Sequence, residues 1–422
     1  MWYSLLADYL LLIRMSPINL CLTFAVLFAV AICEIPPAKQ QSRPPYLKIA
    51  PGNADFAFRF YHQIASEESE KNIFFSPISI TTAFACLSLG AKSTTLSQIL
   101  SGLGFNQTKI SEQEIHKGFR HLLQMLNRPE AEIELSLGNA LFTHDQYKLL
   151  KKFLNDAKHF YHAEVLPTNF KKPEEAVKQI NNYIEKKTHG KLVDVVKQLD
   201  PKVVVVLVNY IFFKAYWKNP FNYESTQKDD FFVDEQTTVQ VPMMNKDSNF
   251  NFYHDEELSC QVVHLPYKGD ASALFILPDP GKLKQVEAAL GTDVLIKWGK
   301  SLKQCLDLHL PACTHSGRVA LVQGHVTLTE GLTDVFTDHA DLSRITGARN
   351  VKVSKAIHKA YLNVHENGTE AAATTVIEIV PTSLPPIVKI DRPFFFLIID
   401  ELTKCILFMG KVKNPSEEKS QN

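Results

Sequence analysis

Val203-Val-Val-Val-Leu-Val208 is an unbroken apolar run, almost entirely β-branched, with no polar face. A strand of that composition has nothing to present to water on either side, so it must lie within a sheet covered on both faces. Ala273–Leu277, Phe394–Ile399 and Ile406–Gly410 read the same way. Upstream the period changes. Phe56, Phe60 and Ile64 recur every four residues with Ala57 and Tyr61 beside them, the stripe of an amphipathic helix. Similar patterns run over roughly 78–103, 111–127, 148–162 and 173–188. Helices first and strands later predict an α+β fold rather than a βαβ repeat. A length of 422 residues sets a prior of two to three domains at about 150 residues each. No Gly/Ser linker or charge block divides the chain, so one large domain is the better expectation.

The first 33 residues read as targeting. Cys21-Leu-Thr-Phe-Ala-Val-Leu-Phe-Ala-Val-Ala-Ile-Cys33 is an uncharged apolar run of signal-peptide length, with Arg14 ahead of it. Small residues Ala31 and Cys33 precede Glu34-Ile-Pro-Pro, which ends any helix. The alternative is a membrane anchor, against which Asp8 and Arg14 interrupt the apolar stretch. Either Met1 or Met15 can serve as the start. The expected organisation is a leader at 1–33, a flexible segment at 34–52 containing five prolines, a folded body at 53–416, and a tail at 417–422. After the leader, Cys86, Cys260, Cys305, Cys313 and Cys405 remain, too few and too scattered for a disulfide framework. Asn106-Gln-Thr and Asn367-Gly-Thr are N-glycosylation sequons, consistent with a secreted, extracellular product.

Lys+Arg and Asp+Glu both number 45, so the chain as a whole exerts no pull on nucleic acid or an anionic membrane. An enzyme reading finds little. There is no GxSxG, GxxxxGK[ST], HExxH, GxGxxG or CxxC, and no His/Cys cluster at zinc spacing. His264, His309, His315, His325 and His358 lack motif context and read as surface or satisfied core residues. Lys171-Lys172 and Lys186-Lys187 have acidic neighbours and read as solvated faces. The expectation is a protein that is not an enzyme and needs no cofactor or metal.

Residues 366–391 are the informative segment. In an extended chain Thr369, Ala371, Ala373, Thr375, Ile377 and Ile379 share one uncharged face, while Glu370 and Glu378 fall on the other. The pattern ends in Val380-Pro-Thr-Ser-Leu-Pro-Pro386, whose three prolines cannot donate to a ladder and favour an exposed, extended loop. The segment therefore reads both as a buried strand and as a solvent-facing loop.

From Asn53 to Pro415 the chain resembles the serpins, of the secreted group that includes α1-antitrypsin, antichymotrypsin and kallistatin. The resemblance rests on Asn72-Ile-Phe-Phe-Ser-Pro-Ile-Ser79, Asn139-Ala-Leu-Phe142, Ile180-Asn-Asn-Tyr183 and Thr188-His-Gly-Lys191. It continues through Val208-Asn-Tyr-Ile-Phe-Phe-Lys214, Val241-Pro-Met-Met244, His358-Lys-Ala360, Gly368-Thr-Glu-Ala-Ala-Ala373, Asp391-Arg-Pro-Phe394 and Phe408-Met-Gly-Lys411. It implies about nine helices around three β-sheets, with an exposed reactive-centre loop at about 366–390. It also implies that a serine protease cleaves the loop, forms an acyl-enzyme, and is trapped as the loop inserts into the main sheet. Inhibitory members carry a hinge like Gly368, Thr369, Glu370, Ala371, Ala372 and Ala373. Aligning Pro385-Pro386 with α1-antitrypsin places the reactive bond between Thr382 and Ser383. A small β-branched residue there suits the shallow pocket of an elastase-like protease, and Ile379 or Val380 would suit it too after a shift of register. The alternative is a non-inhibitory serpin carrying a small hydrophobic hormone. A monomer is expected.

Two features depart from the family pattern. Ala312–Gly331 lacks the helical stripe expected after a strand, through real divergence or through an error in the gene model. The Asn367 sequon falls on the hinge itself.

Overall fold

The computed structural model describes residues 44–128, 132–248, 250–302, 306–311, 313–320, 332–364, 366–367 and 387–417. The leader, Thr369–Pro386 with the reactive bond, Gly368 and residues 321–331 lie outside them. From Pro45 onward the chain forms one unit.

After a 3-10 turn at Pro45–Lys48 come helix α1 (Ala50–Glu67), strand β1 (Ile73–Phe75), and helices α2 (Pro77–Ser88), α3 (Ser93–Gly102) and α4 (Glu112–Leu126). The single helical pattern read over 78–103 is thus two helices. The break at Leu89–Lys92 contains Gly90, where a Cβ would meet Ile345 Cγ1 at 2.3 Å. Close packing, invisible to periodicity, interrupts the helix there. Strand β2 (Ile133–His144), helix α5 (Lys151–Tyr161), strand β3 (Glu164–Thr168), helix α6 (Pro173–Lys187) and strand β4 (Val205–Ala215) follow.

Next are strands β5 (Gln227–Phe232), β6 (Thr238–Ser248), β7 (Asn251–Asp255), β8 (Cys260–Pro266) and β9 (Ala271–Pro278), then helices α7 (Leu283–Ala289) and α8 (Thr292–Ser301). Strands β10 (Leu306–Pro311) and β11 (Cys313–Ala320), helix α9 (Ser343–Thr346), and strands β12 (Lys355–Val364), β13 (Ile387–Lys389), β14 (Phe394–Asp400) and β15 (Ile406–Val412) complete the chain. The described residues hold nine α-helices and three sheets, as the resemblance implied.

The six-stranded sheet runs β1-β15-β14-β9-β8-β7 and is antiparallel throughout. The four-stranded sheet runs β13-β10-β6-β5 and the five-stranded sheet β11-β12-β4-β2-β3. Strand β4 is covered on both sides, as its composition demands. Val205, Leu207, Ile211 and Phe213 join the main core, while Val206, Val208 and Tyr210 join a second cluster with Ile180 and Ile184 of α6.

Several family motifs have local physical explanations. Asn53 Oδ1 accepts the Ile406 N–H at 2.8 Å. Asn72 binds the C-terminal segment through Oδ1, which accepts from Lys413 N–H (2.6 Å) and Asn414 N–H (2.9 Å), and through Nδ2, which donates to Asn414 O (2.7 Å). Thr188 Oγ1 donates to Ile184 O (2.8 Å) and accepts from Leu192 N–H (3.2 Å), closing a turn in which Gly190 takes φ +78°.

Candidate functional site

Within the five-stranded sheet, β11–β12 and β2–β4 are antiparallel, but the central neighbours β12 and β4 are parallel, in register from Lys355↔Val206 to Tyr361↔Phe212. Two parallel strands with antiparallel partners outside them leave room, topologically, for one more strand antiparallel to both. Parallel pairing is also slightly weaker per residue. The chain leaves β12 at the end from which such a strand would enter.

That exit is pinned. Glu366 is buried, its carbonyl accepting the Phe221 N–H at 2.8 Å and its Oε1 the Thr226 hydroxyl at 2.7 Å. Asn367 is half-buried, and its carbonyl accepts the Trp217 N–H at 2.9 Å. Trp217 lies two residues past the end of β4 and stacks on Tyr267, with ring centroids 4.2 Å apart. The two strands are therefore tied together again just beyond their C-terminal ends. On the far side of the loop, β13 runs parallel to β10 over three residues. There Lys389 pairs with Asp229 at 2.7 Å and the Asp391 carbonyl accepts the Phe232 N–H at 2.7 Å.

A row of polar side chains crosses the same seam. His358 of β12 pairs with Asn209 of β4, and Asn209 pairs with Asn139 of β2. Strand alternation turns all three toward the main core, where they meet the start of α2. Asn209 Nδ2 donates to Asn139 Oδ1 at 2.7 Å, and Asn209 Oδ1 accepts from the Ser79 hydroxyl. His358 Nε2 accepts the Ser76 N–H at 3.0 Å, so His358 Nδ1 carries the proton and donates to Asn209 Oδ1 at 2.7 Å. Burial holds this ring neutral, lowering its pKa to about 3. Asn139 Nδ2 is buried without a hydrogen-bond partner. Of the five histidines weighed in the sequence, His358 is a satisfied core residue, as expected. His264 lies 3.2 Å from Asn251 and 3.7 Å from Glu401. His309 and His315 fall on β10 and β11, and His325 lies outside the described residues.

Cys86, Cys260 and Cys405 are buried, with thiols pushed up to about 12 by burial. Among the described residues no group of three or more His, Cys, Asp or Glu could hold a metal, and no helix is long and apolar enough to cross a membrane. What the arrangement offers is mechanical: a weak central contact, a polar row across it, and a pinned exit. Sequence reasoning singled out the exit but missed the row. Its traces were Asn139, Asn209 and His358, each within a motif that carries the resemblance but not readable as neighbours.

The two sequons differ in setting. Asn106 is exposed on the α3–α4 connection, and its Oδ1 accepts from the Thr108 N–H (3.0 Å) and Thr108 hydroxyl (2.6 Å), an Asx turn. Asn367 stands at the mouth of the seam. The proposed hinge residues Gly368, Thr369, Glu370, Ala371, Ala372 and Ala373 and the bond Thr382–Ser383 fall outside the described residues.

The family model described as serpin, serine protease inhibitor, matches residues 51–415. Alpha-1-antiproteinase of Bos taurus is 50% identical over 373 residues, covering 88% of this chain and 89% of that protein. Alpha-1-antitrypsin of Sus scrofa is 49% identical over 372 residues, covering 88% of each. Among solved structures, human glycosylated kallistatin superposes with a TM-score of 0.82 at 47% identity, covering 88% of this chain and 99% of that one. Human thyroxine-binding globulin in complex with thyroxine gives 0.84 at 43% identity, covering 88% and 100%.

Proposed function

The chain belongs to the serpin family, and from that premise we propose that it is an extracellular suicide-substrate inhibitor of serine proteases. The observation that carries the reading is the parallel β12–β4 seam, with the chain leaving β12 directly into Gly368-Thr-Glu-Ala-Ala-Ala373. In this reading a protease serine attacks the Thr382 carbonyl, an ester forms to its Oγ, and the amine of Ser383 departs. The freed segment then enters the seam as a strand antiparallel to β12 and β4, carrying the attached enzyme with it. The uncharged face of Thr369, Ala371, Ala373, Thr375, Ile377 and Ile379 is suited to burial there. Small side chains in the first inserted turns enter without forcing the sheet wider. The protease supplies all the catalytic groups and the serpin supplies the stored conformational energy.

Thr382 at the reactive bond favours elastase-like targets, because its side chain neither reaches a carboxylate deep in a pocket nor fills an aromatic slot. A cleaved leader at 1–33, glycans on Asn106 and Asn367, and a monomeric product complete the proposal. The exposed Asx turn at Asn106 supports modification there.

The test is to mix the secreted protein with neutrophil elastase and run a denaturing gel. A boiling-stable band at the summed mass is expected; cleavage without that band would overturn inhibition of this protease class. The second reading, a hormone carrier, is favoured by the likeness to thyroxine-binding globulin. It predicts saturable binding of a hydrophobic hormone in a displacement assay, whether or not complexes form.

A further inference from the structure

We propose that the groove between α5 and the free edge of β3 docks an acidic, extended segment of another protein, which adds to the five-stranded sheet as a further strand. The proposal is independent of the inhibitor reading.

Strand β3 is an edge of that sheet, paired with β2 alone in parallel register from Ala140↔Glu164 to His144↔Thr168. In such a pair alternate residues turn their backbone groups toward the partner strand. The Thr168 carbonyl accepts the Asp145 N–H at 3.1 Å, just past the end of β2. Glu164 and Leu166 therefore face β2 in the same way, and the Val165 N–H and C=O point away from it. The residues on either side of that opening are closed. The Ala163 N–H donates to the Ala157 carbonyl at 3.2 Å. Pro167 has no N–H to offer, and its carbonyl accepts from Gln179 Nε2 at 3.2 Å. The edge thus presents one residue's pair of hydrogen bonds, which sets the register of an incoming strand without templating a long one.

Beside this opening lies a groove of about 550 Å3, lined by Leu154, Lys158 and His162 on one side and by Val165 and Leu166 on the other. Its floor is apolar, from half-buried Leu154, Val165 and Leu166. Its wall is cationic. Lys151, Leu154 and Lys158 fall at i, i+3 and i+7, one face of α5. Neither lysine pairs with a carboxylate among the described residues. The nearby anions are already taken, Asp156 by Lys152 and Glu164 by Lys187 at 2.7 Å. Uncompensated positive charge beside a free strand edge selects an acidic segment over a basic or neutral one. The groove is open on its solvent side, which suits an extended chain better than a small ligand that must bury most of its surface.

The experiment pans a display library of random octapeptides on the full chain, with Lys158→Glu for counter-selection, and measures the enriched peptide by fluorescence polarisation. Lys158 is exposed, and the equally exposed Lys300→Glu on α8 is the control. Acidic sequences should be enriched, with binding weakened about tenfold by Lys158→Glu and unchanged by Lys300→Glu. Methylating the peptide's backbone nitrogens one at a time removes single donors without altering its charge, and should abolish binding to the wild type at one position. Failure to enrich acidic peptides, or binding indifferent to Lys158→Glu, overturns the docking site. Binding that survives methylation at every position overturns strand addition. Dodecanoate serves as the small amphipathic probe. If it binds in a Lys158-dependent way while no peptide does, the groove takes small anions and the proposal falls.

Discussion

The six-stranded and five-stranded sheets are built from the same kinds of residue, yet they close in different ways. In the six-stranded sheet every neighbouring pair is antiparallel, and the contacts are aromatic: Phe74 stacks on Phe408 at 5.6 Å and on Phe396 at 6.0 Å. No strand could be added between any two of its members without breaking a good ladder. In the five-stranded sheet the middle contact is parallel, a row of Asn139, Asn209 and His358 crosses it, and one buried amide nitrogen goes unpartnered. The first sheet is finished. The second holds, at its centre, a parallel contact that a further antiparallel strand would replace with two antiparallel ones; its other parallel contact, β2–β3, lies at the edge.

The comparison breaks most visibly if the loop is cut. Cleavage after Thr382 should raise the apparent melting temperature by about 20 °C, from some ten new ladder bonds at about 1 kcal/mol each, with about 2 °C gained per kcal/mol. Thr369→Arg should abolish that rise by asking a buried position to accept a charge. Scanning calorimetry of intact and cleaved protein checks both, and coincident melting of the two wild-type forms would sink the insertion reading. Next in size, Phe408→Ala in the six-stranded sheet should cost about 3–5 kcal/mol. Denaturant titration should find that cost nearly equal in intact and cleaved protein, because Phe408 packs mainly within this sheet and, among the described residues, touches the seam only through Phe213 of β4. Asn209→Ala should cost less, about 1–3 kcal/mol, by orphaning the groups around it. Its cost should differ between the two forms, since insertion separates β12 from β4.

At neutral pH the smallest differences between the sheets are electrostatic, and they grow only as pH falls. Below 6.5 the unfolded chain takes up a proton at His358 that the folded chain refuses until about pH 3. Stability from this group is complete above 6.5 and falls with pH through that window, by up to about 1.4 kcal/mol per unit. At the end of the β9–β14 pair, Glu401 is held to about 2 by the nearby His264 ring and by hydrogen bonds from Lys404 and Ser272, against the opposing effect of burial. Its contribution is complete above 4.5 and is lost only as pH falls from there toward 2. Urea midpoints of His358→Gln and Glu401→Gln across pH 3–7 should flatten different parts of the profile.

Much of this was legible in the chain. The β4 run declared its two-sided burial because six consecutive apolar residues leave no other arrangement, and α1 declared its stripe through Phe56, Phe60 and Ile64. The exit at Glu366–Asn367 drew attention through the composition that follows it. The polar row was not legible, because it depends on register: His358 and Asn209 are 149 positions apart and meet only through strand pairing. The short helices α7 and α8 and the break between α2 and α3 were missed too. Helices α7 and α8 are short, seven and ten residues, and the break between α2 and α3 is marked only by Gly90, packed against Ile345.

The order of the six-stranded sheet bears on how the chain is made. Strands β14 and β15, the last two of the described chain, sit inside that sheet, where β15 alone joins β1 to the rest and β14 alone joins β15 to β9. While a ribosome is still translating, β1 has been produced without its one neighbour β15, and β9, paired with β8 on one side, lacks β14 on the other, so each presents an unpaired edge. The sheet cannot close until residues 394–412 have left the exit tunnel. At about 5–20 residues per second, the interval between β9 and β15 lasts several seconds or more. The nascent protein spends that time with its largest sheet open, and it is then, rather than after folding, that it most needs protection from its own copies.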